Sequence, residues 1–414
     1  MIAIKKAVIN TFLTKIFVSL IGLVIVVLIS KKLGAEAKGV LSLFVLCISF
    51  TQMICDYGSS SALINLSYKY ENKNLWGSSI IWVFCVCGLC FLIFFIQSFP
   101  FMALVPLTAL LLSFTNINNL LLMGNRQVVK RNINLILQPL LLLIFFCLLY
   151  FKFSYNTSAY IYAFILAAGF TALISFYFIK PFLKSNAPFN FEKSILKIGF
   201  WAQNGHLVQF LNYRANFFVI VYFLGEANLG VYSNAIVIAE ALWIFGHSLG
   251  QIQHIQILNS DNVQFHKKIT LKFIGINALF TVTSLLILLA IPAIFWEWLF
   301  SKQFSAIHQL LLALSPGIIV FSFSNIFNHY FHATNSFKLI VMVNLVGLIV
   351  GIVSSIILIP THGLIGACWA WNAGLSASSI IYLIFFFKEI TSNNTTIKLV
   401  NIIDNLPIKL PYLT

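Results

Sequence analysis

Apolar residues in this chain come in continuous runs, and short polar clusters separate one run from the next. A bilayer's hydrocarbon core is about 30 Å thick and takes about 20 helical residues to cross. Runs of that order recur at 8–30, 39–63, 78–98, 101–123, 133–151, 158–179, 199–224, 229–256, 270–291, 308–332, 337–359 and 363–387. They lack the two-residue alternation of a membrane barrel, so they predict helices. The expected fold is an all-α integral membrane protein with twelve transmembrane helices.

One polar signature is written twice. "LGAEAKGVLS" from Leu33 and "LGEANLGVYS" from Leu224 share Leu-Gly, Gly-Val and Ser at a constant offset of 191 residues. Each copy falls between the first and second spans of one half of the chain. The longest polar stretch, "KPFLKSNAPFNFEK" at 180–193, holds two prolines and lies near the midpoint. The pattern predicts an N-terminal six-helix bundle at 1–180, a cytoplasmic linker at 181–197, a C-terminal six-helix bundle at 198–388 and a cytoplasmic tail at 389–414. Six is even, so the bundles are parallel repeats about an axis along the membrane normal.

Composition agrees: 60% of the 414 residues are hydrophobic and 8% charged, too little polar surface for a water-soluble fold. The net charge of +15 changes meaning once it is placed. With the N-terminus cytoplasmic, inside segments carry 18 basic residues, and outside segments carry five: Lys31, Lys32, Lys38, Lys152 and Lys302. This is the positive-inside bias, so both termini are expected in the cytoplasm, with attraction to anionic membrane lipid as a secondary effect and no nucleic-acid partner. The first run lacks a small-residue cleavage site before Lys31 and reads as a span, not a signal peptide. The cysteines lie within predicted spans, and Cys85, Cys87 and Cys90 lack the His or carboxylate neighbours of a metal site. No phosphate-cradling loop occurs, and no outside segment is large enough for glycan chemistry, so the chain is not expected to be an enzyme.

Charged side chains inside a bilayer are costly and mark functional candidates. Lys15, Asp56, Arg214 and Glu240 qualify. Arg214 precedes Gly225 by 11 residues and Glu240 follows Asn228 by 12. At 1.5 Å per residue both lie roughly 17 Å below the turn, so the two can pair near the midplane. Lys15 and Asp56 match each other in depth near the cytoplasmic face and are expected to pair there. At about 100° per residue, Ser233, Glu240, Trp243, His247, Gln251 and His254 form one stripe on the eighth span. Ser42, Ser49, Gln52, Asp56 and Ser60 form its counterpart on the second, and Gln203, His206, Phe210, Tyr213 and Arg214 share a face of the seventh. Two symmetry-related polar faces suggest opposite walls of a water-filled cavity. Aromatic and hydrogen-bonding groups suit sugars, and arginine suits a phosphate or carboxylate. The plainer readings are a register-fixing ion pair for Arg214–Glu240, snorkelling for Lys15 and interfacial hydrogen bonding for the histidines. His329 and His332 have metal-like spacing but no third ligand in reach. Pro316 is a candidate kink and Pro360 a helix break or end.

"YRANFFVIVYFLGEANLGVYSNAIVIAEALW" (213–243), "KKLGAEAKGVLSLF", "DYGSSSALI" and "ILIPTHGLIGACWAWNAG" (357–374) together resemble the Wzx-type O-antigen flippases. These form the polysaccharide-transport branch of the MOP superfamily, which also holds the multidrug and toxic-compound extruders. The likeness runs in order over nearly the whole chain. It implies a MATE-like, V-shaped alternating-access transporter of the bacterial inner membrane, serving lipopolysaccharide and other polysaccharide biosynthesis. The cargo would be an undecaprenyl-diphosphate-linked oligosaccharide, driven by a proton or sodium gradient without a bound cofactor. A polysaccharide polymerase and a chain-length regulator would be its partners. Arg214 and Glu240 carry over as site residues, with Asp56 and Lys15 after them. A cation-coupled multidrug exporter of the same fold, a membrane-embedded glycan-processing enzyme and a structural partner of the glycan machinery are the other readings.

Overall fold

In a computed structural model, residues 2–59, 62–96, 101, 103–152, 156–186, 188–260 and 262–391 are described. Most of the expected tail therefore lies outside the described residues. Apolar sequence with few breakers gives helices throughout: α1 Ile2–Cys55, α2 Ala62–Leu66, α3 Asn72–Ile96, α4 Leu104–Gly124, α5 Val128–Lys152 and α6 Thr157–Ile179. The second half holds α7 Ser194–Leu224, α8 Glu226–Ala241, α9 Trp243–Leu258, α10 Val263–Ala290, α11 Ala293–Phe300, α12 Ile307–Ala333 and α13 Phe337–Thr391. Among the described residues, nine helices are long and apolar enough to cross a membrane, and ten with α8–α9 counted as one bent crossing. This is a multi-pass membrane protein.

Two stretches, 46 and 52 residues long, far exceed one bilayer thickness. Each is two helices meeting at a glycine of non-helical conformation, Gly34 in α1 and Gly363 in α13. Gly34 has φ 85°, ψ −177° and Gly225, which separates α7 from α8, has φ 81°, ψ 177°. That region of backbone space is essentially closed to residues with a Cβ. The two Leu-Gly signatures thus make the same turn. The end of the molecule carrying these turns is called here the turn end, and the opposite one, where residues 180–193 run, the linker end.

The eighth predicted span is not straight. Near Leu242 the α8 and α9 axes bend by 42°, so the single stripe from Ser233 to His254 is divided between two helices. Pro316 sits inside the continuous helix α12, and the break near Pro360 comes three residues later, at Gly363.

One apolar core is built from residues between Ile21 and Ile195. Two others draw on residues between Phe217 and Phe386, joined by Ala35 and Leu46 from α1. Between them runs a seam where α1 packs on α8. A Cβ placed on Gly39 would meet the Glu226 carbonyl, and one placed on Gly230 would meet the Ala35 carbonyl. These contacts are reciprocal under the 191-residue offset. Ser42 Oγ donates to Ser233 Oγ at 2.9 Å, again position to equivalent position. The repeated signature therefore specifies a turn and also the surface where the two copies touch.

Candidate functional site

The seam continues from the turn end to the linker end, and it is bridged at both. At the turn end the Ala35 amide donates to Gln303 Oε1 at 2.7 Å, and the Lys31 ammonium donates to the Trp298 carbonyl at 3.2 Å. At the linker end Tyr57 Oη donates to Asn204 Oδ1 at 2.9 Å. Gln203 Nε2 reaches the Met53 carbonyl at 3.4 Å, and Lys15 Nζ reaches Gln251 Oε1 at 3.5 Å. The halves touch at both ends through these polar bridges.

Between the ends, Arg214 on α7 and Glu240 on α8 meet, with Nη2 2.7 Å from Oε2. Their side chains are 22% and 27% exposed, so the pair is only partly desolvated. The Arg214 guanidinium also lies 5.1 Å from the Phe217 ring centroid, a cation–π distance. Tyr213 accepts from Gln209 Nε2 at 2.7 Å.

The other expected residues divide. Lys15 and Asp56 do not pair. Asp56 begins a 3-10 turn at the end of α1 and accepts from Ser59 Oγ at 3.0 Å and from Asn116 Nδ2 of α4 at 2.9 Å. Equal depth did not bring them together, because Asp56 turns into its own half while Lys15 reaches across the seam. Trp243 is 6% exposed, with ring centroids 3.8 Å from Phe321 and 5.6 Å from Trp371. It is a core residue and not part of a cavity wall. Gln203 is 5% exposed and acts as a linker-end bridge. His206 and His247 are exposed; the first stacks on His332 at 6.0 Å and the second meets His329 edge-on at 6.3 Å. Gln52 stays half-buried on α1. Among the described residues no group of three His, Cys, Asp or Glu could hold a metal ion, and the seven cysteines are free.

Lys38 is the residue that sequence reasoning misplaced. Taken for an outside-loop lysine, it is 7% exposed, and its Nζ donates to Ser42 Oγ at 3.2 Å. Its position four residues after the glycine turn was legible, but the close packing of α8 over it was not. A small polar cavity also lies inside the second half, lined by Gln209, Tyr213, Asn325, Asn328, Asn344 and Tyr382 among others.

Several solved membrane transporters share this architecture. A multidrug-resistance MATE-family transporter of the MOP superfamily, facing inward, superposes with a TM-score of 0.73 over 91% of this chain and 95% of that one at 15% identity. The lipid II flippase MurJ, in an inward closed conformation, gives a TM-score of 0.74 over 96% of both chains at 16% identity. A MOP-superfamily transporter from Pyrococcus furiosus, described as having a binding pocket of reversed polarity, gives 0.71 over 95% and 97% at 14% identity. The chain therefore has the fold of the MOP-superfamily transporters. No protein-family model and no curated protein matches it by sequence.

Proposed function

We propose that the protein is a flippase that moves an undecaprenyl-diphosphate-linked O-antigen, or a related polysaccharide repeat unit, from the cytoplasmic to the periplasmic leaflet. In this reading each arm of α1 and of α13 is a crossing and α8–α9 is one, which would make twelve crossings in two sets of six. In this reading the turn end faces the periplasm and the basic linker end the cytoplasm, in keeping with the positive-inside bias. Alternating access would open the two sets of bridges in turn, drawing on an ion gradient.

The observation that carries this reading is the charge of the seam. Lys15, Lys38 and Arg214 lie along it, and Glu240 is the carboxylate held against Arg214. A path for an anionic diphosphate needs cations along it, and the prenyl tail can stay in lipid while the glycan crosses between the bundles. Glu240 would neutralise Arg214 when no cargo is bound. A multidrug exporter is the second reading, favoured by the MATE likeness; a path for organic cations calls for net acidity, which this seam lacks.

The test is complementation. In a strain lacking its native gene, the wild-type chain should restore surface glycan, and Arg214→Ala at equal expression should reduce display at least tenfold. Restored resistance to cationic drugs with no effect on glycan would instead select the exporter.

A further inference from the structure

Five of the chain's eight histidines gather at the linker end of the second half. His206 is on α7, His247 and His254 are on α9, and His329 and His332 lie a turn apart on α12. Ring contacts join the three helices: His206 stacks on His332 at 6.0 Å, and His247 meets His329 edge-on at 6.3 Å. The His329 ring occupies the space over Gly250 of α9, where a Cβ would overlap it. Glycine inside a helix is destabilising, so α9 carries a cost that seats this imidazole. His206 and His247 are exposed and the other three half-buried, so water reaches the group. His266 and His362 hydrogen-bond to the Ser260 carbonyl and to Thr361, but none of these five rings has a hydrogen-bond partner among the described residues.

The surroundings are short of negative charge. The charges that act on His247, His329 and His332 are those of one another, of His206 and His254, and of Lys15 across the seam. The carboxylates on the elements packed against the group are engaged elsewhere. Asp56, in the 3-10 turn that packs on α7, is held by Ser59 and Asn116, and Glu240 on α8 is held by Arg214. Lys267, Lys268 and Lys272 on α10 and Lys338 on α13 are cations. The internal repeat sharpens the contrast. At the 191-residue offset His206 corresponds to Lys15 and His247 to Asp56, so the second half has imidazoles where the first has a lysine and a carboxylate. Lys15 Nζ also contacts Gln251 Oε1, one turn from both His247 and His254, so a bridge between the halves ends inside the cluster.

We propose that these five histidines are a pH-sensitive latch on the linker end of the seam, closed while the rings are neutral and parted when they take up protons. With neutral rings Lys15 bridges to Gln251 unopposed. Imidazole changes charge between about pH 5 and pH 8. Each proton adds a cation to the second half opposite Lys15 and about 6 Å from another ring, at a distance where like charges repel. Moving α1 away from α9 and admitting water relieves that repulsion. The open arrangement therefore binds more protons, and falling pH favours it. The latch rests on the fold and not on the flippase reading, and it requires no proton to cross the membrane.

The experiment measures the distance between the halves in the detergent-solubilised full-length chain, where one pH bathes both ends. With the native cysteines replaced, Val129→Cys and Val263→Cys put nitroxides at exposed positions in the first turns of α5 and α10, one in each half. Electron–electron double resonance should show a short distance at about pH 8 and a growing longer one towards about pH 5, the long-to-short ratio rising at least tenfold. His247→Gln with His332→Gln leaves His329 on Gly250, so the short distance should persist at about pH 8 and the acid response should largely disappear. Lys15→Gln keeps a polar partner for Gln251 without the charge and should weaken the response severalfold. A wild-type distance that ignores pH overturns the proposal. So does a full acid response in the double histidine variant, or one abolished by Asp56→Asn with every histidine present. Should the double variant not fold, Lys15→Gln decides, and an undiminished response there overturns the latch.

Discussion

Arg214 and Glu240 keep about a quarter of their side-chain surface accessible, and their 2.7 Å contact is charge-assisted. Removing one partner leaves a partly desolvated ion with no compensation, at a cost of about 1–3 kcal/mol. Arg214→Ala and Glu240→Ala should each lower unfolding stability by that order. The double variant should lose less than the sum, with a coupling of about 1–3 kcal/mol in a double-mutant cycle. Strict additivity would mean that the contact contributes nothing. This pair was legible in the sequence because its two helices are consecutive and antiparallel, so counting from a shared turn fixes their relative depth. The Lys15–Asp56 expectation used the same count and failed. Depth fixes a level in the membrane but not the direction a side chain points around its helix. Asp56 was drawn to Asn116 of α4, and no count along α1 contains that neighbour.

At the scale of elements, the glycines of the repeated signature do two different tasks. Gly34 and Gly225 hold nearly identical positive-φ conformations that let the chain leave one helix and begin another. Gly34→Ala and Gly225→Ala should each destabilise the protein by about 1–3 kcal/mol through backbone strain. At Gly34 a Cβ would also lie 2.8 Å from Gln303 Oε1, so that variant should be the worse of the two by thermal unfolding. Gly39 and Gly230 have ordinary helical backbones and are required by close approach of the facing chain. The motif was visible as a repeat, and its turn was inferable from Leu-Gly at a span boundary. That the second glycine of each copy serves the contact between copies was not inferable, because a repeat does not say whether its units touch. The stripe on the eighth span failed for a related reason. Helical periodicity assumes a straight axis, and the bend near Leu242 separates Glu240 from Trp243, which turns into an aromatic core with Phe321 and Trp371.

For the whole molecule, the proposed flippase role would require the bridges at the two ends of the seam to open in turn. Ser42 and Ser233 approach to 2.9 Å at one end, and Tyr57 and Asn204 meet at 2.9 Å at the other. Cysteines introduced at 42 and 233, in a background without the native ones, should cross-link under mild oxidation and abolish transport; reduction should restore it. A pair at 57 and 204 should behave likewise at the linker end. Full transport with the 42–233 bridge oxidised would mean that the turn-end seam does not open during the cycle. The sequence alone determined that the chain is a helical membrane protein in which one signature is written twice. Bilayer thickness and helix rise convert apolar run length directly into crossings, and a fixed 191-residue offset is independent of folding. Only the tertiary structure decided which polar side chains share the seam. That depends on rotation about each helix axis and on packing between helices far apart in sequence, and it is what turned Lys38 from a loop lysine into a buried, unpaired cation.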